Sequence, residues 1–202
     1  MVSEHGYAEL TVRKVTRAAG ISSATFYELF DDKRQVVLAT YDAIFARLLA
    51  EIEVSCAAQP SWPAKVKAAI AAAVDFADLA PESARLLCVD AFAATVPSRE
   101  RVLDSRERLI AMLASGRRDH PRVAKLPALF ERALVTAIWS TIGAQLVSDE
   151  SGKLAELQPQ LVELADSIRG LRGGGTGGVP LGRDDLCPEA IKNPIWSVSV
   201  LN

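Results

Sequence analysis

The sequence predicts an all-α protein in which a helix-turn-helix head precedes a larger helical body. Half of the 202 residues are hydrophobic, but only 6% are aromatic, a balance that favours packed helices over a sheet. Apolar residues recur at helical spacing through most of the chain, in runs that Gly and Pro interrupt. Near the start, two short helical runs are joined by a turn that contains Gly20.

The head is predicted from residues 11–30. Thr11 begins a run with Val12 and Val15 on one face, and Gly20 breaks this run. Ser22 then caps a second short helix, 22–30, and its size suits the major groove of DNA. In such a helix the short side chains of the first turn lie nearest the base edges, and a Tyr hydroxyl one turn later can donate to a phosphate.

A family pattern runs through the same residues. It is carried by Thr11, Val12, Arg13, Ala18, Ala19, Gly20, Ser22, Thr25, Tyr27, Phe30 and Lys33. This spacing resembles the DNA-binding segment of the TetR (tetracycline-repressor-like) family of bacterial transcriptional regulators. The resemblance implies an all-α fold with a helix-turn-helix head on a ligand-binding and dimerisation body. It also implies a DNA-binding transcriptional regulator, a repressor released by a small-molecule effector.

The resemblance assigns DNA contacts to the head. Thr11, Arg13, Tyr27 and Lys33 take the family's backbone-contacting places, and Thr25 a base- or phosphate-contacting place. Two positions depart from the pattern, since Ser23 stands where Lys is common and Glu28 where His is common. Each predicted DNA-binding residue could instead be a cap or simply solvated. The predicted set is Thr11, Arg13, Ser22, Ser23, Ala24, Thr25, Tyr27, Glu28 and Lys33.

Charge constrains how DNA would be bound. The formal net charge is −2, so the chain as a whole is not a polybasic nucleic-acid binder. Residues 8–36 hold five basic and four acidic side chains, a net of +1. Attraction to double-stranded operator DNA must therefore come from the local placement of cations.

Cap and break signals divide the body into helices. Asp32 is a good N-cap with Gln35 three residues later, which starts a helix that runs to about Cys56. Ser61 caps the next helix, and Pro63 lies in its first turn. The remaining predicted helices are about 62–79, 81–95, 98–118, 126–148 and 152–171.

The last two helices suggest a dimer. Residues 126–148 are apolar on more than one side, and 152–171 carry apolar residues at alternating spacings of three and four. Pro159 predicts that the last helix is kinked or begins there. A four-helix bundle formed with a second copy explains both patterns, and the alternative is that both helices serve only the internal core. The predicted interface is Phe130, Trp139, Ile142, Leu146, Leu157, Leu161, Leu164 and Ile168.

The resemblance also implies an effector site inside the body. Its candidates are polar or aromatic side chains on otherwise apolar helices: Phe76, Cys88, Asp90, Phe92, Met112, Thr136 and Trp139. Asp90 lies among apolar neighbours, where an unpaired carboxylate is costly. Its alternative reading is a surface residue or a salt bridge with Arg85. The effector itself is not identified.

Three domains are expected. They are a head at 1–45, an effector-binding and dimerisation body at 46–171, and a flexible Gly-rich linker with a disordered tail at 172–202. Only five residues precede Gly6, against the full first helix of the resembling family. We therefore expect an incomplete first helix that leaves the inner face of the head uncovered. That face comprises Val15, Ala19, Ile21, Phe26 and Phe30.

Other functional classes are disfavoured. Cys56, Cys88 and Cys187 have no metal-ligand spacing, and no triad order or phosphate-binding Gly loop is present, so we expect no enzyme, no metal and no cofactor. No stretch is typical of a signal peptide or a membrane span, which predicts a cytoplasmic protein without a membrane partner. The alternative function is a helical dimeric interaction or ligand-binding module that has lost DNA binding.

Overall fold

The computed structural model of the chain describes residues 7, 10–117, 127, 129–148 and 154–170, and these residues are helical apart from short connections. Nine α-helices, numbered here in chain order, lie within these ranges. The all-α prediction is confirmed. Among the described helices none is long and apolar enough to cross a membrane.

The head contains α1 (Val12–Ala19) and α2 (Ser23–Leu29). Thr11 caps α1 by accepting from the Lys14 amide, and Ser22 caps α2 by accepting from the Thr25 amide at 3.0 Å. Gly20 ends α1 with φ +67°, a left-handed conformation that is strained for residues that carry a side chain. No atom lies within 4 Å of a Cβ added at Gly20, so this φ alone requires the glycine.

A single long helix, α3 (Lys33–Ala57), leaves the head and enters the body. Asp32 caps it by accepting from the amides of Arg34 and Gln35, as its sequence predicts. The Gln35 side chain reaches one residue further back than a capping box requires, and its Oε1 accepts from the Asp31 amide at 3.1 Å. With 25 residues, α3 is roughly 37 Å long and crosses the boundary predicted at residue 45.

Two helical segments follow α3. Ser61 caps α4 (Trp62–Leu79), with Pro63 in its first turn. Pro81 then starts a helix in three parts, α5 (Pro81–Arg85), a π-helical segment Leu86–Asp90 and α6 (Ala91–Ala94). The wider π turn is the local departure that the regular helical prediction for 81–95 did not contain.

The last three described helices complete the body. α7 (Val96–Arg117) starts earlier than predicted because Thr95, rather than Ser98, is its cap: Thr95 Oγ1 accepts from the Ser98 amide and Ser98 Oγ from the Thr95 amide. α8 spans Leu129–Val147. α9 spans Leu154–Gly170 and runs through Pro159, where the sequence predicted a kink or a start. The tail, 172–202, lies outside the described residues.

The core of the body buries most of the side chains that the sequence assigned to a dimer interface. Phe130, Trp139, Ile142, Leu146 and Leu161 are all buried within the chain's own core. Leu157 is partly buried against the same core, Leu164 is exposed, and the Ile168 side chain lies outside the described ones. The first five cannot face a second copy, because α8 and α9 use these stripes to pack onto their own body.

Candidate DNA-binding head and ligand cavity

The outer face of α2 presents short polar side chains to solvent. Ser22, Ser23, Ala24 and Glu28 are exposed, and Tyr27 is 59% exposed beside the buried ring of Phe26. A helix that shows small side chains in its first turn allows close approach to base edges. The exposed Tyr27 hydroxyl can donate to a phosphate.

The caps hold this face in place. Thr25 Oγ1 lies 3.0 Å from Ser22 Oγ and is partly buried, so it is committed in part to the start of α2. Thr11 is exposed at the start of α1, and Arg13 is exposed in the first turn of that helix. Thr11, Ser22 and Thr25 therefore combine a capping role with a position on the outer surface of the head.

Lys33 has a different environment from the one the sequence predicted. Its Nζ donates to the carbonyl oxygens of Leu10 at 3.0 Å and Tyr7 at 3.3 Å, and it lies 4.4 Å from the centre of the Tyr7 ring. These contacts tie the start of α3 to the segment that precedes α1. Arg34, the next cation, pairs with Asp32 on the surface.

The inner face of the head is partly filled. Phe26 is fully buried, and the centre of its ring lies 5.8 Å from the centre of the Phe30 ring. The expectation that Phe26 would be uncovered is therefore wrong. Val15, Ile21 and Phe30 are partly buried and Ala19 is exposed. An open cleft of about 420 Å³ remains between α1, α3 and α5, and Val15, Ala18, Val36, Ile44 and Leu86 are among its walls.

The body contains an apolar cavity of about 70 Å³. Four of the seven effector-site candidates line it. These are Phe76, Cys88, Met112 and Trp139. The other lining residues are Leu48, Ile52, Ala69, Ala73, Ala77, Ala84, Leu87, Leu109, Leu113, Val135, Ile138 and Ile142.

Three candidates do not line the cavity. Asp90 pairs with Arg85 at 3.6 Å, as its alternative reading expected, and burial raises the pKa of its carboxyl. Phe92 is 40% exposed and lies under the Arg99 guanidinium, and Thr136 faces outward from α8. Each of the three has a polar or aromatic side chain, but its position around the helix axis decides whether that side chain faces the cavity.

The π segment brings Cys88 to the cavity wall. A Cβ added at Gly143 would meet Cys88 Cβ at 3.4 Å, so the missing side chain lets α8 approach the widened turn. Burial raises the pKa of the Cys88 thiol to about 12, so this thiol stays protonated at neutral pH. Cys88 is therefore an apolar wall of the cavity and not a reactive group.

Sequence reasoning missed two polar residues beside the cavity. Tyr41 on α3 is fully buried, and Arg106 on α7 is half-buried with its guanidinium 5.3 Å from the Trp139 ring. Arg106 falls in the apolar stripe of α7 between Val102 and Leu109, and a cation in such a stripe was the available signal. Among the described residues there is no group of three or more metal-ligating side chains.

Comparisons with known proteins agree with this geometry. Residues 1–40 match the family of bacterial regulatory proteins called the tetR family. The head therefore resembles the DNA-binding part of TetR-family regulators, and these findings support a DNA-binding transcriptional regulator. No relative among curated proteins matches the sequence.

A solved structure shares the fold of this chain. It is the fatty acid degradation regulator FadR from Bacillus halodurans, with a TM-score of 0.73 and 18% sequence identity. The match covers 85% of this chain and 90% of the other. At that identity the likeness concerns the fold alone.

Proposed function

We propose that the regulator is a repressor that dissociates from operator DNA when a small molecule occupies the cavity of the body. The observation that carries this proposal is the reach of α3. Lys33 in its first turn donates to the carbonyl oxygens of Tyr7 and Leu10 in the head, and Leu48 and Ile52 further along α3 line the cavity. A ligand that displaces those two side chains acts on the same helix that positions the head.

The composition of the cavity wall restricts the effector. Apart from the Trp139 indole N–H, every side chain in the lining is apolar or a protonated thiol, and burial of apolar surface is the main gain open to a ligand there. The effector body is therefore apolar and compact. We place this function in the cytoplasm, where operator DNA is reached.

DNA recognition is proposed to use the exposed residues of α1 and α2. Arg13 supplies positive charge to the phosphate backbone, while Ser23, Ala24 and Thr25 lie nearest the bases. Glu28 is exposed and can accept from a cytosine amino group. This proposal rests on exposure and helix phase together with the family's DNA-binding pattern.

A gel-shift assay on the DNA upstream of the regulator's own gene tests the function. We expect a specific shift, and Arg13→Ala should weaken binding to all sequences alike and lower the salt-dependence slope by about one. Arg101→Ala is the matched control, because Arg101 is exposed on α7 and makes only a surface ion pair with Asp42. A folded chain that binds no DNA at low salt would favour the alternative, a helical ligand-binding module without DNA binding.

The regulator is further proposed to act as a homodimer. α8 leaves a row of residues exposed on the side away from its core, at spacings of three and four: Leu129, Ala133, Thr136, Ser140, Ala144 and Val147. Leu129 and Val147 are 65% and 53% exposed, and Leu164 on α9 is also exposed. Small residues along a helix allow close packing against a second copy, so this row replaces the interface expected from sequence.

A further inference from the structure

Three buried polar atoms without hydrogen-bond partners lie between α3, α7 and α8. They are Tyr41 Oη, Arg106 Nε and Trp139 Nε1. Tyr41 is fully buried and Trp139 is 5% exposed, so bulk water does not satisfy them. An unmade hydrogen bond at a buried donor carries a free-energy cost, and three in one place indicate a missing acceptor.

The three donors form one cluster through Arg106. Its guanidinium lies 5.3 Å from the centre of the Trp139 ring, and it interacts electrostatically with the Tyr41 hydroxyl and the Cys88 thiol. Ser105 lies beside Tyr41, and its hydroxyl donates to the Arg101 carbonyl at 2.9 Å. The Ser105 oxygen could still accept, but no acceptor lies in hydrogen-bond geometry with Tyr41 Oη.

The cluster carries a positive charge with no counterion. No carboxylate pairs with Arg106 among the described residues, although Asp42, Arg85 and Asp90 occupy neighbouring elements and are paired elsewhere. Arg106 is partly buried, which disfavours an isolated cation. A single negative charge placed against Arg106 would compensate it, whereas a dianion such as a phosphate ester would bring more charge than one guanidinium neutralises.

The cluster also borders the apolar cavity, because Trp139 and Cys88 belong to both. A ligand that satisfies the donors at one end can therefore place an apolar body among Phe76, Met112 and Ile142. The cavity of about 70 Å³ is smaller than the roughly 150 Å³ that admits benzene. The apolar body must therefore be compact, a short chain or one ring that widens the site on binding.

We propose that Arg106, Tyr41 and Trp139 bind the carboxylate of a small amphipathic organic acid whose apolar body occupies the cavity. Arg106 supplies the charge, and the Tyr41 hydroxyl and the Trp139 indole N–H donate to the carboxylate oxygens. This inference deepens the proposed function and rests on it only for the claim that the ligand is the effector. Since Tyr41 lies on α3, the bound carboxylate would contact the helix that carries the head.

Calorimetry on the full-length regulator without DNA tests the assignment. The probe is phenylacetate, and its uncharged counterpart phenylacetamide has the same apolar body. We expect phenylacetate to bind at least about tenfold more tightly, because a charge-assisted hydrogen bond is stronger than a neutral one. Hexanoate and palmitate extend the series in length, and the longer acid should bind more weakly than hexanoate.

Variants on α7 identify the head group. Arg106→Met should weaken phenylacetate by at least about tenfold and leave phenylacetamide unchanged. Arg108→Met is the matched control, since Arg108 is an exposed arginine on the same helix, 5.2 Å from the Phe45 ring. Arg106→Lys retains the positive charge but lacks the planar set of guanidinium N–H donors, so it should give an intermediate loss of affinity for phenylacetate. This variant keeps the test valid if the Met variant folds poorly.

A spectroscopic signature locates the carboxylate. The indole N–H resonance of Trp139, assigned with Trp139→Phe, should shift on addition of phenylacetate and remain in place with phenylacetamide. Equal affinity for acid and amide, an unchanged affinity in both Arg106 variants, or no binding by any acid in the series would overturn the proposal. The last outcome would mean that ordered water satisfies the three donors.

The binding assay and the DNA assay can fail independently. If phenylacetate binds through Arg106 but does not alter the gel shift, the carboxylate site stands and the effector role of this site is wrong. If the DNA assay shows release by an uncharged ligand while Arg106 variants respond normally, the proposed function stands and the carboxylate site is wrong.

Discussion

At the scale of single residues, the sequence predicted what depends on near neighbours. Thr11, Ser22 and Asp32 cap their helices as expected, because each cap is satisfied by an amide two or three residues away. Lys33 was assigned to phosphate from its place in the family pattern, but its Nζ reaches carbonyl groups 23 and 26 residues earlier. No local signal in the sequence reveals such a contact.

The main effect of Lys33→Ala should therefore be to destabilise the head, and not to remove a phosphate contact. Loss of two charge-assisted hydrogen bonds should speed amide exchange across residues 12–29 and weaken binding to all DNA sequences, at a cost on the order of 1–3 kcal/mol. Arg34→Ala is the control, because Arg34 makes only an exposed pair with Asp32. If exchange in the head stayed the same and only the salt slope fell by about one, Lys33 would be a phosphate contact after all.

At the scale of elements, hydrophobic spacing predicted where helices run but not which face each stripe contacts. Trp139, Ile142 and Leu146 were assigned to a partner because α8 is apolar on more than one side. The structure buries this stripe in the chain's own core and leaves Ala133, Thr136 and Ser140 outside. Both faces carry helical periodicity, so the pattern cannot decide between them. The cavity lining was identified only in part for the same reason, because four of the seven candidates line it and its other walls have the pattern of ordinary core residues.

The contact between α4 and α7 offers a test at this scale. Trp62 Nε1 donates to the Leu113 carbonyl at 2.9 Å, and a Cβ added at Gly116 would lie 3.0 Å from Trp62 Cδ1. In an exposed helix Gly→Ala stabilises by roughly 0.5–1 kcal/mol, so Gly116→Ala would be favourable if space allowed. We expect the opposite, a loss of about 1–3 kcal/mol as the indole is pushed from its place.

Chemical denaturation measures this effect. Ser115→Ala on the same turn is exposed and should change stability by no more than about 0.5 kcal/mol. Gly116→Ala combined with Trp62→Ala should cost less than the sum of the two, because the clash has gone. A stabilised Gly116→Ala protein would show that Trp62 can move without loss.

At the scale of the whole molecule, the head and the body differ in how completely they are packed. The body shares one large core, whereas α1 and α2 are short and α1 faces an open cleft of about 420 Å³. We expect amides of residues 12–29 to exchange faster than those of residues 129–147, and operator DNA to slow them. Equal protection of the two groups without DNA would mean that the head is as stable as the body.

Dimerisation is proposed to use the row of exposed residues on α8, and a substitution in this row tests it. Thr136→Arg places a long cation where two copies are proposed to meet, and it should convert a dimer into a monomer at micromolar concentration without loss of helix content. Leu79→Arg is the matched control, because Leu79 is 79% exposed at the end of α4, away from α8. Ile142→Asp, at a residue of the interface expected from sequence, would place a carboxylate in the core and unfold the chain, so it cannot separate assembly from folding. Sedimentation decides the matter: a monomeric unmutated regulator, or a Thr136→Arg variant that remains a dimer, would contradict the proposed face. Because two half-sites on operator DNA require two heads, loss of the dimer should also remove most of the specific affinity in the gel shift.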